Sequence, residues 1–270
     1  MELFRSYHRA FLREPYTHFV RTIAVTAGKG GVGKTTLASN LSIALNGMGF
    51  KTCVLDANFT APDLGTHFGI NADTTLWEVL KGKEPISHAI YGHDCGVHII
   101  PGSSGVEDFK KDTYKKLKRK IRNLKYDFLI LDTPPGLGDD AIAALGPAKE
   151  VLIVANPEWT SLSNAYRVYQ AAKKMNKTVL GMVLNRHLAH EYEPDTRIVE
   201  QFMGIPILGE IPEDVAVRRS IAVQSPVSLS YPDTEASMEI ERVAAQIGGI
   251  EYKKRAGLMH KVLNFLGLFA

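Results

Sequence analysis

A glycine-rich stretch near the start of the chain constrains the fold more than any other feature of the sequence. Residues 28–36 read GKGGVGKTT, which fits the pattern G-x-x-x-x-G-K-[ST]. Glycines at these spacings let successive backbone N–H groups turn toward one point, where they can bind phosphate oxygens. The lysine adds a positive charge, and the hydroxyl that follows it can ligate Mg²⁺. The sequence therefore predicts a phosphate site made by Gly28, Lys29, Gly30, Gly31, Val32, Gly33, Lys34, Thr35 and Thr36.

The residues around this stretch have the pattern that such a loop requires. Residues 22–26 are apolar and β-branched, which is typical of a buried strand. Leu37, Leu41 and Leu45 follow at helical spacing. Strand, glycine loop and helix occur in the order that places a helix N-terminus against a bound anion.

Lys29 narrows the class of phosphate-binding protein that the loop indicates, because this lysine stands between two glycines inside the loop. With this lysine the chain resembles the deviant P-loop ATPases of the MinD/ParA group, and most closely the archaeal MinD-like ATPases. The resemblance covers residues 21–247. It implies ATP or ADP with Mg²⁺ as ligands and a homodimer formed with ATP. It also implies that Lys29 reaches across the dimer interface to the partner's nucleotide.

A second buried strand is predicted at residues 51–56 and ends in Asp56. A carboxylate at the carboxyl end of a parallel strand lies beside the nucleotide crevice, where it can hold Mg²⁺-bound water. The resemblance maps this segment to switch I, where the usual pattern is D-x-D. Here Asn58 takes the second acidic position, and an amide cannot accept a proton from water. We therefore expect hydrolysis to be slow or to depend on Asp56.

A third acidic strand end is predicted at Asp132, after the buried run of residues 126–131. This is the Walker B arrangement, in which the carboxylate holds Thr35 and binds Mg²⁺ indirectly. The sequence DTPPG that begins at Asp132 resembles switch II, so Gly136 is expected to sense the γ-phosphate. The predicted metal site is Thr35, Asp56 and Asp132, with both carboxylates acting through water. The candidate catalytic residues are Lys29, Lys34, Asp56, Asn58 and Asp132.

The nucleotide base is expected to lie between two later loops. By resemblance, Asn185 reads the adenine edge at the end of a predicted strand at residues 178–184, with Arg186 beside it. Pro212 and Glu213 follow a last predicted strand at residues 206–211 and belong to the loop that closes over the base.

Strands that alternate with helices predict an α/β fold: a doubly wound, mostly parallel sheet with helices on both faces, together with terminal amphipathic segments. We predict an N-terminal extension over residues 1–20, which is expected to be helical, and a P-loop ATPase domain over residues 21–249. Residues 250–270 form a C-terminal amphipathic tail.

The tail suggests contact with a membrane surface. Basic residues 253–255 precede Leu258, Val262, Phe265, Leu266 and Phe269, which would share one side of a helix. No apolar run approaches the roughly 18 residues of a membrane span. We expect a cytoplasmic protein that is peripheral on the inner face of the cell membrane, attached to anionic lipid through this tail.

The resulting hypothesis is an ATP-dependent dimerising switch of the MinD type, which positions a division-site, polar or surface partner. The sequence does not identify this partner or an activating protein. A DNA-associated partition ATPase of the ParA type is the closest alternative, because a basic amphipathic helix is predicted at residues 110–125. A nucleotide-bound scaffold that hardly hydrolyses ATP is another. An iron–sulfur carrier is disfavoured, since Cys53 and Cys95 form no C-x-x-C pair.

Overall fold

The computed structural model describes residues 20–103 and 112–252, and an eight-stranded sheet runs through its centre. The strand order is β3-β4-β2-β5-β1-β6-β7-β8, and every neighbouring pair is parallel except β3 with β4. The predicted doubly wound, mostly parallel sheet is therefore confirmed. The strands are β1 (Arg21–Thr26), β2 (Thr52–Asp56), β3 (Tyr91–Gly92), β4 (His98–Ile100), β5 (Phe128–Asp132), β6 (Glu150–Ala155), β7 (Thr178–His187) and β8 (Ile207–Pro212).

Helices follow most of the strands, and several begin at a side-chain cap. Thr75 and Glu78 form a capping box at the start of the helix Leu76–Leu80. Asp195 and Thr234 cap the helices Thr196–Met203 and Glu235–Gly248. The α-helices are α1 (Lys34–Gly47), α2 (Leu64–His67), α3 (Leu76–Leu80), α4 (Asp112–Ile121), α5 (Asp139–Ala144), α6 (Trp159–Lys174), α7 (Thr196–Met203), α8 (Val215–Ala222), α9 (Val227–Ser230) and α10 (Glu235–Gly248).

Two apolar layers enclose the sheet, one on each face. Along β5, Leu129 and Leu131 pack into the layer that contains residues of α3, α4, α6 and α7. Phe128 and Ile130 point the other way, into the layer formed with α1 and α10. Successive residues of a strand face opposite sides, so an uninterrupted apolar strand is required wherever both sides are covered.

Two predicted elements have clearly different ends in the structure, and one short strand was not predicted. The basic helix was expected over residues 110–125, but α4 ends at Ile121 and the Leu124 N–H turns back to the Ile121 carbonyl at 3.1 Å. Residues 110 and 111 lie outside the described residues. β7 continues past the predicted end at residue 184, because β8 pairs with it as far as His187. The two-residue strand β3 was missed, since it is too short to show a period of two.

Most of the N-terminal extension (residues 1–19) and most of the tail (residues 253–270) lie outside the described residues. Within the described ranges, no helix combines the length and the apolar character that a bilayer span requires.

Candidate functional site

The candidate site forms where the carboxyl ends of β1, β2 and β5 lie side by side. The strand register places Asp56 opposite Asp132, and Val25 of β1 on the other side of Asp132. The predicted phosphate loop leaves β1 directly beyond this point. Two acidic residues that are far apart in sequence are thereby brought next to the glycine-rich loop, at the edge where open α/β sheets bind their ligands.

The glycine loop adopts backbone conformations that its sequence makes possible. Gly31 and Gly33 have φ angles of 76° and 92°, in the left-handed region that favours glycine. Gly33 is the N-cap of α1. Val32 is fully buried and fixes the loop to the core. The exposed N–H groups at the start of α1 therefore face the site.

Gly28 is required for a different reason, which is contact with another helix. A Cβ on Gly28 would lie 2.4 Å from the backbone carbon of Asn164 in α6. A Cβ on Gly30 would instead lie 3.8 Å from Pro135 in the loop after β5, an ordinary contact. The loop is thus pressed between α6 and the segment that follows β5.

Lys34, Thr35 and Asp132 form the centre of the site. The Thr35 hydroxyl donates a hydrogen bond of 2.6 Å to Asp132 Oδ2. Burial raises the pKa of Asp132 to about 7, although the Lys34 ammonium and the Thr35 hydrogen bond act in the opposite direction. Lys34 is itself buried, with an exposed fraction of 7%. Its charge therefore acts in an environment of low polarity.

Asp132 has an oxygen that fits a metal ion. Oδ1 is buried and lacks a hydrogen-bond partner among residues 20–103 and 112–252. Buried polar atoms are almost always paired, so this carboxylate oxygen is available to bind a cation or a water. Carboxylate and hydroxyl oxygens are the donors that Mg²⁺ prefers. Asp132 and Thr35 therefore fit magnesium.

Asp56 is completely buried, and both of its oxygens are engaged by backbone. Oδ1 accepts the N–H of Asn58 at 2.9 Å, and Oδ2 accepts the N–H of Leu64 at 3.1 Å. Burial and the nearby Asp132 raise the pKa of Asp56 well above its ordinary value, while these two N–H groups oppose the change. Asp56 organises the switch I loop from inside and faces Asp132.

Asn58, at the second acidic position of the switch I pattern, has both ends of its amide bonded within the loop. Its amide nitrogen donates to the Ala61 carbonyl at 2.6 Å, and its amide oxygen accepts the Ala61 N–H at 3.2 Å. The residue is 7% exposed. The amide closes its own loop with both ends, which a carboxylate could not do because it has no hydrogen to donate.

The switch II segment is tied to β1. The Thr133 hydroxyl donates to the Val25 carbonyl at 2.9 Å, and the Gly136 N–H donates to the Ala27 carbonyl at 3.0 Å. Gly136 has φ 95°, which suits glycine. If its N–H is to sense a γ-phosphate, the hydrogen bond to Ala27 has to give way.

The expected base-binding residues come together, although their contacts are with the protein. Asn185 donates from Nδ2 to the Val32 carbonyl at 2.7 Å, which joins β7 to the glycine loop. Arg186 and Arg218 each contact the Glu213 carboxylate at 2.6 Å. The hydrogen bond from Arg186 lowers the pKa of Glu213, and Arg218 adds to this effect.

Pro212 ends β8 opposite His187, so the two loops run side by side. Arg218, on α8, was missed by the sequence analysis. No spacing rule connects it with Arg186, and only the fold brings the two arginines to one carboxylate.

Lys29 is the least constrained of the predicted site residues. Its Nζ lies 3.7 Å from Glu158 Oε2, and both side chains are about half exposed, at 51% and 55%. An exposed ion pair of this kind contributes roughly 0–1 kcal/mol. Lys29 is therefore free to exchange this partner for another anion.

Comparison with known proteins agrees with this geometry. The family model described as "ParA: NUBPL iron-transfer P-loop NTPase" matches residues 18–248. An uncharacterized ATP-binding protein of Methanocaldococcus jannaschii is 34% identical over 250 residues, which are 92% of this chain and 94% of that protein.

Two solved structures are also similar. The cell division ATPase MinD of Pyrococcus furiosus has a TM-score of 0.80 and 33% identity, with 86% of this chain and 99% of that chain covered. The septum site-determining protein MinD of Pyrococcus horikoshii, complexed with Mg-ADP, has a TM-score of 0.80 and 30% identity, with coverages of 85% and 96%.

Proposed function

Because the chain belongs to the ParA/MinD family of P-loop NTPases, we propose that it is an ATP-dependent dimerising switch of the MinD type. The chain is a MinD-like ATPase whose ligands are ATP or ADP with Mg²⁺. The switch proposed here binds a membrane in its ATP state and positions a protein partner there. The observation that carries the proposal is the group under the glycine loop in which Thr35 is bonded to the buried Asp132, beside the buried Lys34.

Each residue of the site has a proposed role in binding and hydrolysis. Residues 28–36 bind the phosphates through backbone N–H groups, and Lys34 neutralises charge on the β- and γ-phosphates. Thr35 and Asp132 would hold Mg²⁺, with Asp132 acting through water, and Asp56 would contribute a further water-mediated contact. When bound, Mg²⁺ would neutralise part of the negative charge that develops on the transferred phosphoryl group. Asn185, Arg186, Pro212 and Glu213 enclose the base.

Lys29 is proposed to complete the site of a second copy of the chain. Among residues 20–103 and 112–252, its ion pair is the long contact with Glu158 at the surface, so little energy is lost when Lys29 turns away. A dimer formed with ATP would then contain two lysines for each triphosphate, which is more neutralising charge than one chain provides.

We do not extend the iron-transfer part of the family description to this chain. Cys53 is buried within β2, and burial raises the pKa of its thiol, which disfavours the thiolate that ligates metal. Cys95 lies on a turn outside β2, where its carbonyl accepts a hydrogen bond from Asn46. The two thiols are placed as isolated residues of different segments.

Membrane attachment is proposed for residues 250–270, beyond the end of the ATPase domain. The domain boundary at residue 249 is supported by Gly249, which ends α10 in a left-handed conformation. A single short amphipathic segment binds lipid weakly, whereas two segments in one dimer bind together. The nucleotide state can thereby control residence on the membrane.

Liposome co-sedimentation of the full chain with ATP and with ADP tests the proposal. We expect binding to anionic vesicles that is stronger with ATP and is lost in F269E, which places a charge among the apolar residues of the tail. N264E is the matched control, because residue 264 lies on the opposite side of the same predicted helix. Equal, negligible binding of the wild type in both nucleotide states would refute membrane attachment.

Helix α4 supports a second candidate function, association with DNA. Its buried residues Tyr114, Leu117 and Ile121 leave a face on which Lys115, Lys116, Lys118 and Arg119 are exposed. Binding through such a face would weaken steeply with salt. An ATP-dependent DNA mobility shift that disappears on charge reversal of these residues would favour this function over membrane attachment.

A further inference from the structure

The switch I loop contains a second carboxylate besides Asp56, at a position that the sequence pattern did not indicate. Asp63 lies at the start of α2, and its side chain does not cap that helix. The side chain is exposed, whereas Asp56 and Asn58 are buried beneath the loop. Asp63 therefore belongs to switch I and is open to solvent.

Two contacts hold this part of the loop against the metal site. The N–H of Leu64, the next residue, donates to Asp56 Oδ2 at 3.1 Å. A Cβ built on Gly102 would lie 2.6 Å from Pro62 Cβ and 3.1 Å from Asp56 Cγ, so Pro62 also lies beside the Asp56 side chain. The residues on both sides of Asp63 are thus packed next to Asp56.

The charge of Asp63 acts on both carboxylates of the metal site. After the dominant effect of burial, Asp63 is among the charges that raise the pKa values of Asp56 and Asp132. Asp139 and Asp140 are acidic residues at the start of α5 near this edge, and the Asp140 carboxylate folds back toward Gly138. Asp63 is thus an exposed acidic residue of switch I whose charge acts on the site, and it also interacts with His67 on α2.

We propose that Asp63 supplies the carboxylate that accepts a hydrogen bond from the attacking water, in place of Asn58. Asn58 cannot serve, because both ends of its amide are used to close the loop at Ala61. The proposal rests on the ATPase function proposed above. The water oxygen forms the new bond to the γ-phosphorus, and the bond to the β–γ bridging oxygen breaks with its electron pair left on ADP. The proton of the water ends on the phosphate product.

The test uses full-length D63N, which keeps the size of the side chain and removes the carboxylate. Single-turnover hydrolysis of Mg-ATP should slow by about 100-fold, the lower end of what a positioned acid–base group contributes. D73N is the matched control. Asp73 is also exposed, and D73N removes the same charge from a loop before α3. D73N should hydrolyse ATP at the wild-type rate.

Two further measurements separate this role from metal binding and from folding. Fluorescent ATP should bind D63N with the wild-type Kd and with the same Mg²⁺ dependence. Thermal unfolding of D63N should also be unchanged, whereas N58A should unfold at a lower temperature because its loop loses two hydrogen bonds.

Undiminished turnover in D63N would overturn the inference, and so would a loss accompanied by a higher Mg²⁺ requirement, because Asp63 would then serve the metal. K34A separates this failure from failure of the proposed function. If K34A is inactive while D63N is fully active, only the inference fails. If the wild type binds ATP and never hydrolyses it, the ATPase switch fails and the inference fails with it.

Discussion

At the scale of single residues, the candidate site is an arrangement of buried charge. Asp132 and Lys34 are both buried beneath the glycine loop, and Thr35 joins them through its hydrogen bond to Asp132. Burying a carboxylate is costly unless it is paired or coordinates a metal. Oδ1 of Asp132, which has no partner in the described part of the chain, therefore marks the point at which ligand binding offsets a cost already present in the fold.

Replacing Asp132 by asparagine tests this interpretation. The variant should fold, because the amide has the same size and removes a buried charge. Mg²⁺ should tighten its ATP binding about 10- to 100-fold less than it does in the wild type, as is usual when the support of a metal site is lost. Titration with fluorescent ATP, with Mg²⁺ and with EDTA, measures the difference. An unchanged Mg²⁺ effect would exclude Asp132 from the metal site.

Glu213 gives a prediction about pH at the same scale. Its two arginine partners lower its pKa below the ordinary 4.5. A carboxyl group with a lowered pKa stabilises the folded state above the unfolded-state value, and this stabilisation is lost as pH falls through the folded-state value. Glu213 is partly exposed, so we expect E213Q to lower the free energy of unfolding by about 1 kcal/mol or less at neutral pH.

Urea unfolding across pH measures this effect. The difference between wild type and E213Q should shrink as the pH falls below 4.5. E191Q is the control, because Glu191 is exposed in a nearby loop and should have little effect at any pH. A difference between wild type and E213Q that stays constant with pH would rule out the ion pairs as its source.

At the scale of elements, the glycine loop depends on α6 as much as on β1 and α1. The loop passes Asn164 so closely at Gly28 that only hydrogen fits. α6 is held in turn by Leu162, Ala165 and Val168, which are buried in one of the two apolar layers. The position of the phosphate loop is therefore set by a helix that follows β6, more than a hundred residues later in the chain.

The variants G28A and G30A separate this packing effect from the chemistry of the loop. In G28A the new methyl group meets the backbone of α6, and overpacking of this kind costs about 1–3 kcal/mol. In G30A the methyl group reaches Pro135 at an ordinary contact distance, so stability should hardly change. Chemical unfolding without nucleotide compares them. Equal stability of both variants would show that the contact with α6 does not constrain the loop.

At the scale of the whole molecule, one arginine joins distant parts of the domain. Arg21 at the start of β1 makes two hydrogen bonds of 2.9 Å with Glu150 of β6 and also donates to the Ile247 carbonyl near the end of α10. Its guanidinium lies 5.0 Å from the centre of the Phe128 ring of β5. Arg21 thereby connects β1 with β5, β6 and α10.

A double-mutant cycle measures this connection. R21M should lower the free energy of unfolding by about 1–2 kcal/mol, because Glu150 remains partly buried without its cation. E150Q added to R21M should recover part of the loss, since the unpaired charge is then removed. If the effects of the two substitutions simply add, the ion pair does not couple β1 to β6.

The sequence by itself determined the phosphate loop, the acidic strand ends and the fold class. These features follow from short patterns: glycines at fixed spacing, apolar runs that end in aspartate, and helices between them. The resulting sheet is confirmed, and it places Asp56 opposite Asp132 as the parallel register requires. The base-binding roles of Asn185 and Glu213 stay predictions, although the structure brings both to one edge of the site.

Only the tertiary structure decided which groups are free to act. Asn58 stands where an acidic residue was expected, but its amide is used within the loop, while Asp63 five positions later is left open. Arg218 reaches Glu213, and Asn164 limits Gly28, across long separations in the chain. A sequence pattern records which side chains are present at short range. Which of them have their hydrogen bonds satisfied depends on contacts between segments that only folding brings together.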